Sequence, residues 1–595
     1  MWHNCFTISI TSIIVAALAA LALKCSNKRK GIITPFNVML FGVFIAVYFV
    51  FFPVHKAGGE QSVFGTARAI ILSLLNSVGV FTFGTEYEVI AGGMDKCPES
   101  FNGVFQVLSS LLYMVAPAFT VGFVLSLFKN FSSNIKYFCA YRKDVYIFTE
   151  LNEKSVTLAA DIKKNHKDCA IVFTDVFESN NEFSFELAER AKALGSICFK
   201  KDVLAVNFKF HSSNSEMYFF AIGSGETENL NQSVKLIEAY KNRSKTNLYV
   251  FSTKLDSELL LAITDKGLVK VRRANEVMSL INRLLFEKGE MLFDTPFVGD
   301  EGVKEISAVV VGMGKHGTEM VKALSWFCQM DGYRVSIDAF DASEDAEDRF
   351  KALAPELMSD VYNGKIIEGE AQYKIAVHSG VKVDTASFAE AIMAIRKATY
   401  VLVSLGDDDL NIITAINLRM LFERIGIHPV IQAIVANGNQ TRILSGIKNY
   451  RGQPYDIEFI GNIDSSYTED VIIDSELEQS ALKRHLKWGS EEEFWNYEYN
   501  YRSSIASAIH MKARISCGIK GADKKEEELT EDERDTIEIL EHKRWNAYMR
   551  AQGYIYSGSK DEKSRNDLAK MHHNLVDYAS LDEKTKRKDS KVGTE

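Results

Sequence analysis

Apolar residues crowd the first 128 positions of this chain, and no later stretch is as long or as free of charge. Phe6–Leu23, Ile32–Val54 and Gly103–Phe128 each come close to or exceed the roughly 20 apolar residues that a bilayer-spanning helix needs. Lys24, Lys28, Arg29 and Lys30 follow the first run, and Lys129, Lys136, Arg142 and Lys143 follow the third. Lysine and arginine mark the cytoplasmic side of a membrane. The pattern therefore predicts three spans, with the N-terminus outside and the polar bulk in the cytoplasm, in a multi-pass protein of the cell inner membrane. Met1–Cys5 carries no lysine or arginine, so the first run reads as an anchor rather than a cleaved leader.

Phe64–Gly84 is apolar but broken by Arg68, Asn76 and Ser77. A fourth crossing would put the body outside, against the charge rule. A re-entrant or interfacial helix is the expectation here, since irregular backbone at membrane depth is tolerated where it lines a water path. Within it, Ser77, Gly79, Thr82 and Gly84 belong to a run that could line a pore with carbonyls. The competing reading is an amphipathic helix on the outer leaflet. Pro117 in the third span is a candidate hinge.

From Asp144 the pattern changes to short apolar runs alternating with helical stretches, which implies parallel sheet with helices on both faces. Strands are predicted at Val145–Thr149, Ala170–Thr174, Met217–Ile222 and Leu248–Ser252. They recur at Ala308–Val311, Arg334–Phe340, Tyr400–Leu405 and Val430–Val435. The repetition predicts two doubly wound, Rossmann-like lobes. Past residue 475 helices dominate, and Asp523–Glu533 is a charged linker. The expected division is a membrane module and connector at 1–143, lobes at 144–295 and 296–470, and a small helical domain at 471–595.

The second lobe carries Gly312-Met313-Gly314-Lys315-His316-Gly317 directly after a predicted strand. The first glycine would make the tight turn, the second would admit a phosphate, and the third would let helix and strand pack. Lys315 and His316 lie in that loop, and Asp338 and Asp341 are placed to take ribose hydroxyls. NAD(H) or another adenine nucleotide is the expected cofactor. The first lobe reads Thr149-Glu150-Leu151-Asn152-Glu153 at the same place, so its phosphate site is expected to be lost.

Composition narrows the picture. The net charge of −9 gives no basic surface for nucleic acid. The eight cysteines form no CxxC pair and have no histidines at ligand spacing, so neither a zinc site nor a disulfide framework is expected. No nucleophile motif or paired acid and base accompanies the glycine loop, so an enzyme is not expected.

The layout of pore-like module and tandem lobes resembles the regulator-of-potassium-conductance family. Residues 144 to about 460 are also similar to the nucleotide-binding domains of bacterial potassium-uptake regulators. The resemblance implies oligomeric rings, dimers or tetramers, that pull on pore helices through Lys129–Lys143. The C-terminal segment has Glu541-His542-Lys543-Arg544-Trp545, then Gly553-Tyr554, His572-His573-Asn574-Leu575-Val576 and a lysine-rich end with Lys584. It resembles the ryanodine-receptor repeat domain of bacterial proteins, with Tyr554 where that domain usually has tryptophan. A preceding Arg502-Ser503-Ser504 helix fits as well. Glu541, Arg544 and Trp545 share one helix face, and Arg544 has the fork that suits phosphate. Arg502, Ser504, Glu541, His542, Arg544, Trp545, Tyr554, His572 and Lys584 are therefore the expected contacts for a small nucleotide-type ligand; the competing reading puts Trp545 in the core and makes Glu541–Arg544 an internal ion pair. The resemblance implies a ligand-gated membrane effector in antiphage signalling. A housekeeping potassium channel or uptake regulator sensing NAD(H) or ATP is the alternative.

Overall fold

The computed structural model describes residues 1–25, 35–82, 84, 88, 91–92, 96–176, 182–298, 302–358, 373–473 and 475–594. Lys28, Arg29, Lys30 and much of the acidic loop 86–99 lie outside the described residues. The chain forms two units, Met1–Phe138 and Cys139–Glu595.

The first unit is helical: Trp2–Cys25, Pro35–Gly58, Val63–Phe81 and the long Glu99–Cys139, which also leads the chain into the second unit. Among the described residues, these four helices are long and apolar enough to cross a membrane. Small residues set the contact between the first two. A Cβ on Gly42 would sit 2.2 Å from the Ala16 Cβ, and Ser9 Oγ donates to the Ala46 carbonyl at 2.9 Å. Close backbone approach through small residues is how helices associate where water provides no driving force. The three predicted spans are present. The piece expected to re-enter the membrane is instead one unbroken helix of 19 residues, about 28 Å long at 1.5 Å per residue. Ser77 and Gly79 are inside it. Ser77 Oγ donates to the Ser73 carbonyl, and Thr82 caps the end by bonding the Val78 and Gly79 carbonyls. The carbonyls expected to face a pore are thus used within the helix. Gly84 N–H also folds back to Gly79 O, at 2.7 Å.

The second unit holds two parallel sheets. In the first the strands are β1 Val145–Phe148, β2 Ala170–Phe173, β3 Ile197–Cys198, β4 Met217–Ala221, β5 Thr246–Phe251 and β6 Val269–Ala274, in the order β3-β2-β1-β4-β5-β6. A short β7, Phe297–Val298, pairs antiparallel with β8 of the second sheet. That sheet contains β8 Lys304–Val311, β9 Tyr333–Phe340, β10 Tyr373–His378, β11 Tyr400–Val403, β12 Val430–Ile434 and, beyond a small hairpin of β13 Asn449–Tyr450 and β14 Gln453–Pro454, β15 Ile457–Ile460. Its order is β10-β9-β8-β11-β12-β15. Both sheets therefore have the 3-2-1-4-5-6 Rossmann order, with a switch point between the first and fourth strands. Central strands such as Val145–Phe148 and Tyr400–Val403 are buried at every position, as expected of strands covered on both faces.

Helix Glu276–Lys288 leaves the first lobe, capped by the Asn275 side chain. The C-terminal helices do not stand apart from the second lobe. Trp326, Phe327, Ile509, Leu540 and Tyr548 belong to one apolar cluster. His510 bonds to the Gln329 carbonyl at 2.8 Å. The glycine-loop helix thus has its far end embedded in the C-terminal module.

Candidate functional site

The glycine loop takes the geometry its spacing requires. Gly312 has φ +96°, and a Cβ there would meet the Ser404 carbonyl oxygen at 2.5 Å. A Cβ on Gly317 would lie 1.7 Å from Gly312 O, so the helix can approach the strand only with glycine here. Gly314, by contrast, faces open space. It is also the N-cap of helix Lys315–Phe327 and supplies no side-chain cap. A helix start of this kind presents N–H groups and the positive end of the dipole to an anion.

Of the two candidate acids, Asp341 is at the loop. Its carboxylate accepts from Met313 N at 2.6 Å and from Ser343 N at 2.8 Å. Asp338 is drawn away to His378 at 2.9 Å, whose ring stacks on Phe340. His316 is half-buried, and burial pushes its pKa down, so it is neutral near pH 7. Lys315 reaches out of its lobe. Its Nζ donates to Thr253 Oγ1 at 2.8 Å and Glu226 Oε1 at 3.1 Å, both in the first lobe. Burial raises the Glu226 pKa, but hydrogen bonds from Thr253, Lys315 and Ser252 outweigh it and hold the carboxyl down at about 2. The sequence gives no sign of these partners, because they lie 62 and 89 residues before Lys315.

The first lobe has a cleft of about 420 Å³ at its switch point, lined by Asn152, Ser224 and Thr253 among others, but no glycine loop there. Glu150 Oε2 accepts from Ser224 N at 3.1 Å and from its hydroxyl at 3.4 Å. Asn152 Nδ2 donates to the Ile222 carbonyl at 2.8 Å. A carboxylate of the chain itself thus ties the loop after β1 to the loop after β4, and the Asn152 side chain caps the following helix.

In the C-terminal module the structure places most of the expected ligand contacts in the interior, as the competing reading of the motif has it. Glu541 and Arg544 share a face of helix Glu531–Ala551 as read from their spacing, but that face is internal. Arg544 Nη2 donates to Glu541 Oε1 at 2.7 Å, and Arg514 Nη2 donates to Oε2 at 2.5 Å. All three side chains are at most 3% exposed. The Arg544 fork holds a carboxylate of its own helix rather than facing solvent. His542 Nε2 is at 2.8 Å from the Val576 carbonyl, and its other nitrogen faces Asp589. Trp545 packs edge-on to His572, with ring centroids 4.9 Å apart. Burial pushes His572 down to about 3, with Arg565 and His573 adding to the effect. Tyr554 is buried and points its hydroxyl to Asp567. Ser504 is buried against His485. Lys584 is exposed on helix Glu583–Gly593, away from this set.

Arg502 alone of the predicted ligand contacts lines a large cleft, about 790 Å³, between helix Glu276–Lys288 and the C-terminal helices. Its Nη1 donates to Glu258 at 3.0 Å and its Nη2 to Gln552 at 2.9 Å. Arg273, Tyr501, Lys512 and Glu498 share the cleft. Arg273 is clamped on Glu498 through its Nε at 2.9 Å and 3.0 Å. Sequence reasoning missed Arg273. The available signal was an Arg272-Arg273 pair closing an alternating strand just before the Asn275 cap.

No protein-family model and no curated protein sequence matches this chain.

Proposed function

We propose that this chain is a nucleotide-gated membrane effector. An adenine-nucleotide-type ligand binds at Gly312–Gly317, the soluble body rearranges within a homo-oligomer, and the apolar N-terminal helices open or disrupt the bilayer. One observation carries the reading: Lys315, at the start of the glycine-loop helix, is held by Glu226 and Thr253 of the other lobe. A phosphate at that helix start offers Lys315 a competing anion, so binding and inter-lobe contact draw on the same ammonium. Asp341 beside the loop is placed for a ribose hydroxyl. The resemblance of the C-terminal segment to ryanodine-receptor repeats supports a role in antiphage signalling. The membrane is the inner membrane and the body is cytoplasmic, in line with Lys136, Arg142 and Lys143 after the last span. With four crossings the N-terminus returns to that same side; with three it lies outside. Protease protection of an N-terminal tag separates these topologies.

The test is ligand-induced thermal shift on the full chain in detergent, using NAD, NADH, ATP, ADP-ribose and cyclic nucleotides, followed by ion flux from liposomes. The expected result is a shift that Gly314→Asp abolishes and a flux that appears only with the active ligand. A shift unchanged in Gly314→Asp refutes the site. Steady potassium conductance without ligand favours the housekeeping channel or uptake regulator.

A further inference from the structure

Helix Asp408–Arg424 is apolar on two faces. One face, with Ala415, Leu418, Leu421 and Phe422, is buried against the second sheet. The other carries Ile413, Ile416 and Met420 at helical spacing, exposed by 56%, 40% and 44%. An all-round apolar helix is one buried on both sides, and among the described residues nothing covers the outer stripe. Its ends are charged in a particular order. Asp409 is exposed at the N-terminal end and Arg424 at the C-terminal end, and at 100° per residue both fall within about 60° of the stripe.

This pattern is self-complementary. Two copies laid antiparallel about a two-fold axis between Ile416 and Asn417 place Ile413 against Met420 of the second copy. The same register sets Asp409 against Arg424 of the second copy, once at each end. Asp409 has one oxygen engaged by Gln440 at 3.1 Å and the other available. Glu423, which meets Leu410 in this register, is already held by His428 and Arg419. A parallel arrangement would set acid on acid and base on base. We infer that the outer face of helix Asp408–Arg424 is an isologous interface that joins two copies of this chain antiparallel through their second lobes. It needs no nucleotide, so it stands or falls apart from the gating proposal.

Cysteine crosslinking of the full chain in detergent tests it. Ile416→Cys lies next to the axis and is expected to crosslink to itself as a dimer, above the background of the parent chain. Asp409→Cys alone is not, because the two copies of that position would be about 22 Å apart along the helix axes. Asp409→Cys with Arg424→Cys is expected to crosslink. Arg424→Asp in the Ile416→Cys chain turns two exposed ion pairs repulsive, which should cut the yield roughly tenfold at low salt. Adding Asp409→Arg should restore it. All these positions are exposed, so the fold survives the substitutions. The inference is overturned by an Ile416→Cys chain that gives no dimer above the parent, by self-crosslinking of Asp409→Cys, or by a crosslinked product containing a different protein.

Discussion

Exchanging Glu541 for glutamine should cost the C-terminal module far more than a surface substitution would. The carboxylate lies between Arg514 at 2.5 Å and Arg544 at 2.7 Å, out of contact with water. Burial pushes its pKa up, but Arg544 and Arg514 more than reverse this and hold it at about 2, against an ordinary 4.5. Because the folded carboxyl titrates below the unfolded one, its contribution is complete above pH 4.5 and is lost as pH falls toward 2. Breaking a buried pair from one side costs about 3–5 kcal/mol. Glutamine keeps the shape and removes the charge, leaving two buried guanidinium groups facing each other. A loss of this size lowers the melting temperature by roughly 5–10 °C for a cooperative unit of ordinary size. The assay is thermal unfolding of the full chain in detergent at pH 7.5, read by intrinsic fluorescence. Glu541→Gln combined with Arg544→Met should recover part of the loss, since one of the two uncompensated charges is gone. A Glu541→Gln chain that melts within about 2 °C of the parent would refute the internal role and return Arg544 to the ligand contacts.

Two further outcomes follow from the geometry. Gly317→Ala forces a methyl into the Gly312 carbonyl and should destabilise by about 3 kcal/mol or prevent folding, whereas Gly314→Ala, whose Cβ meets nothing within 4 Å, should leave the melting temperature in place. Parallel melts of the two chains check this. His572 stays neutral when folded down to about pH 3 but takes a proton when unfolded below about 6.5, so stability should fall as pH drops through that window. His572→Asn should flatten the decline of melting temperature between pH 6.5 and 5, by up to about 1.4 kcal/mol per pH unit.

What could be read from sequence was decided by how each segment meets water. Strands β1 and β11, most of β4 and the Ala308–Val311 end of β8 are buried on both faces and show as continuous apolar runs. β6, Val269-Lys270-Val271-Arg272-Arg273-Ala274, alternates apolar and basic residues and passes for surface. Its arginines are in fact partners for Glu478 and Glu498 of the C-terminal module, a contact across more than 200 residues that no local pattern carries. The glycine loop was legible because its constraints are backbone ones, set within six residues. The C-terminal motif was half legible. The shared face of Glu541 and Arg544 follows from helix geometry, but whether that face looks outward depends on Arg514, 27 residues earlier on another helix. Val63–Phe81 was legible as an apolar segment but not as an unbroken helix. Asn76, one of the polar residues that interrupt the run, has its partner 21 residues earlier, at His55, 2.7 Å away.

The Glu150 carboxylate at the first switch point bears on the shape of any dose–response curve. A side chain tethered there is present at a fixed effective concentration, whatever the surrounding solution holds. An anion arriving at the Ser224 amide must therefore displace a carboxylate that dilution does not remove. Under the proposed gating, the glycine loop is one responsive position per copy, and one position alone gives a hyperbolic response with a Hill coefficient of about 1. Any steeper onset must be generated between copies.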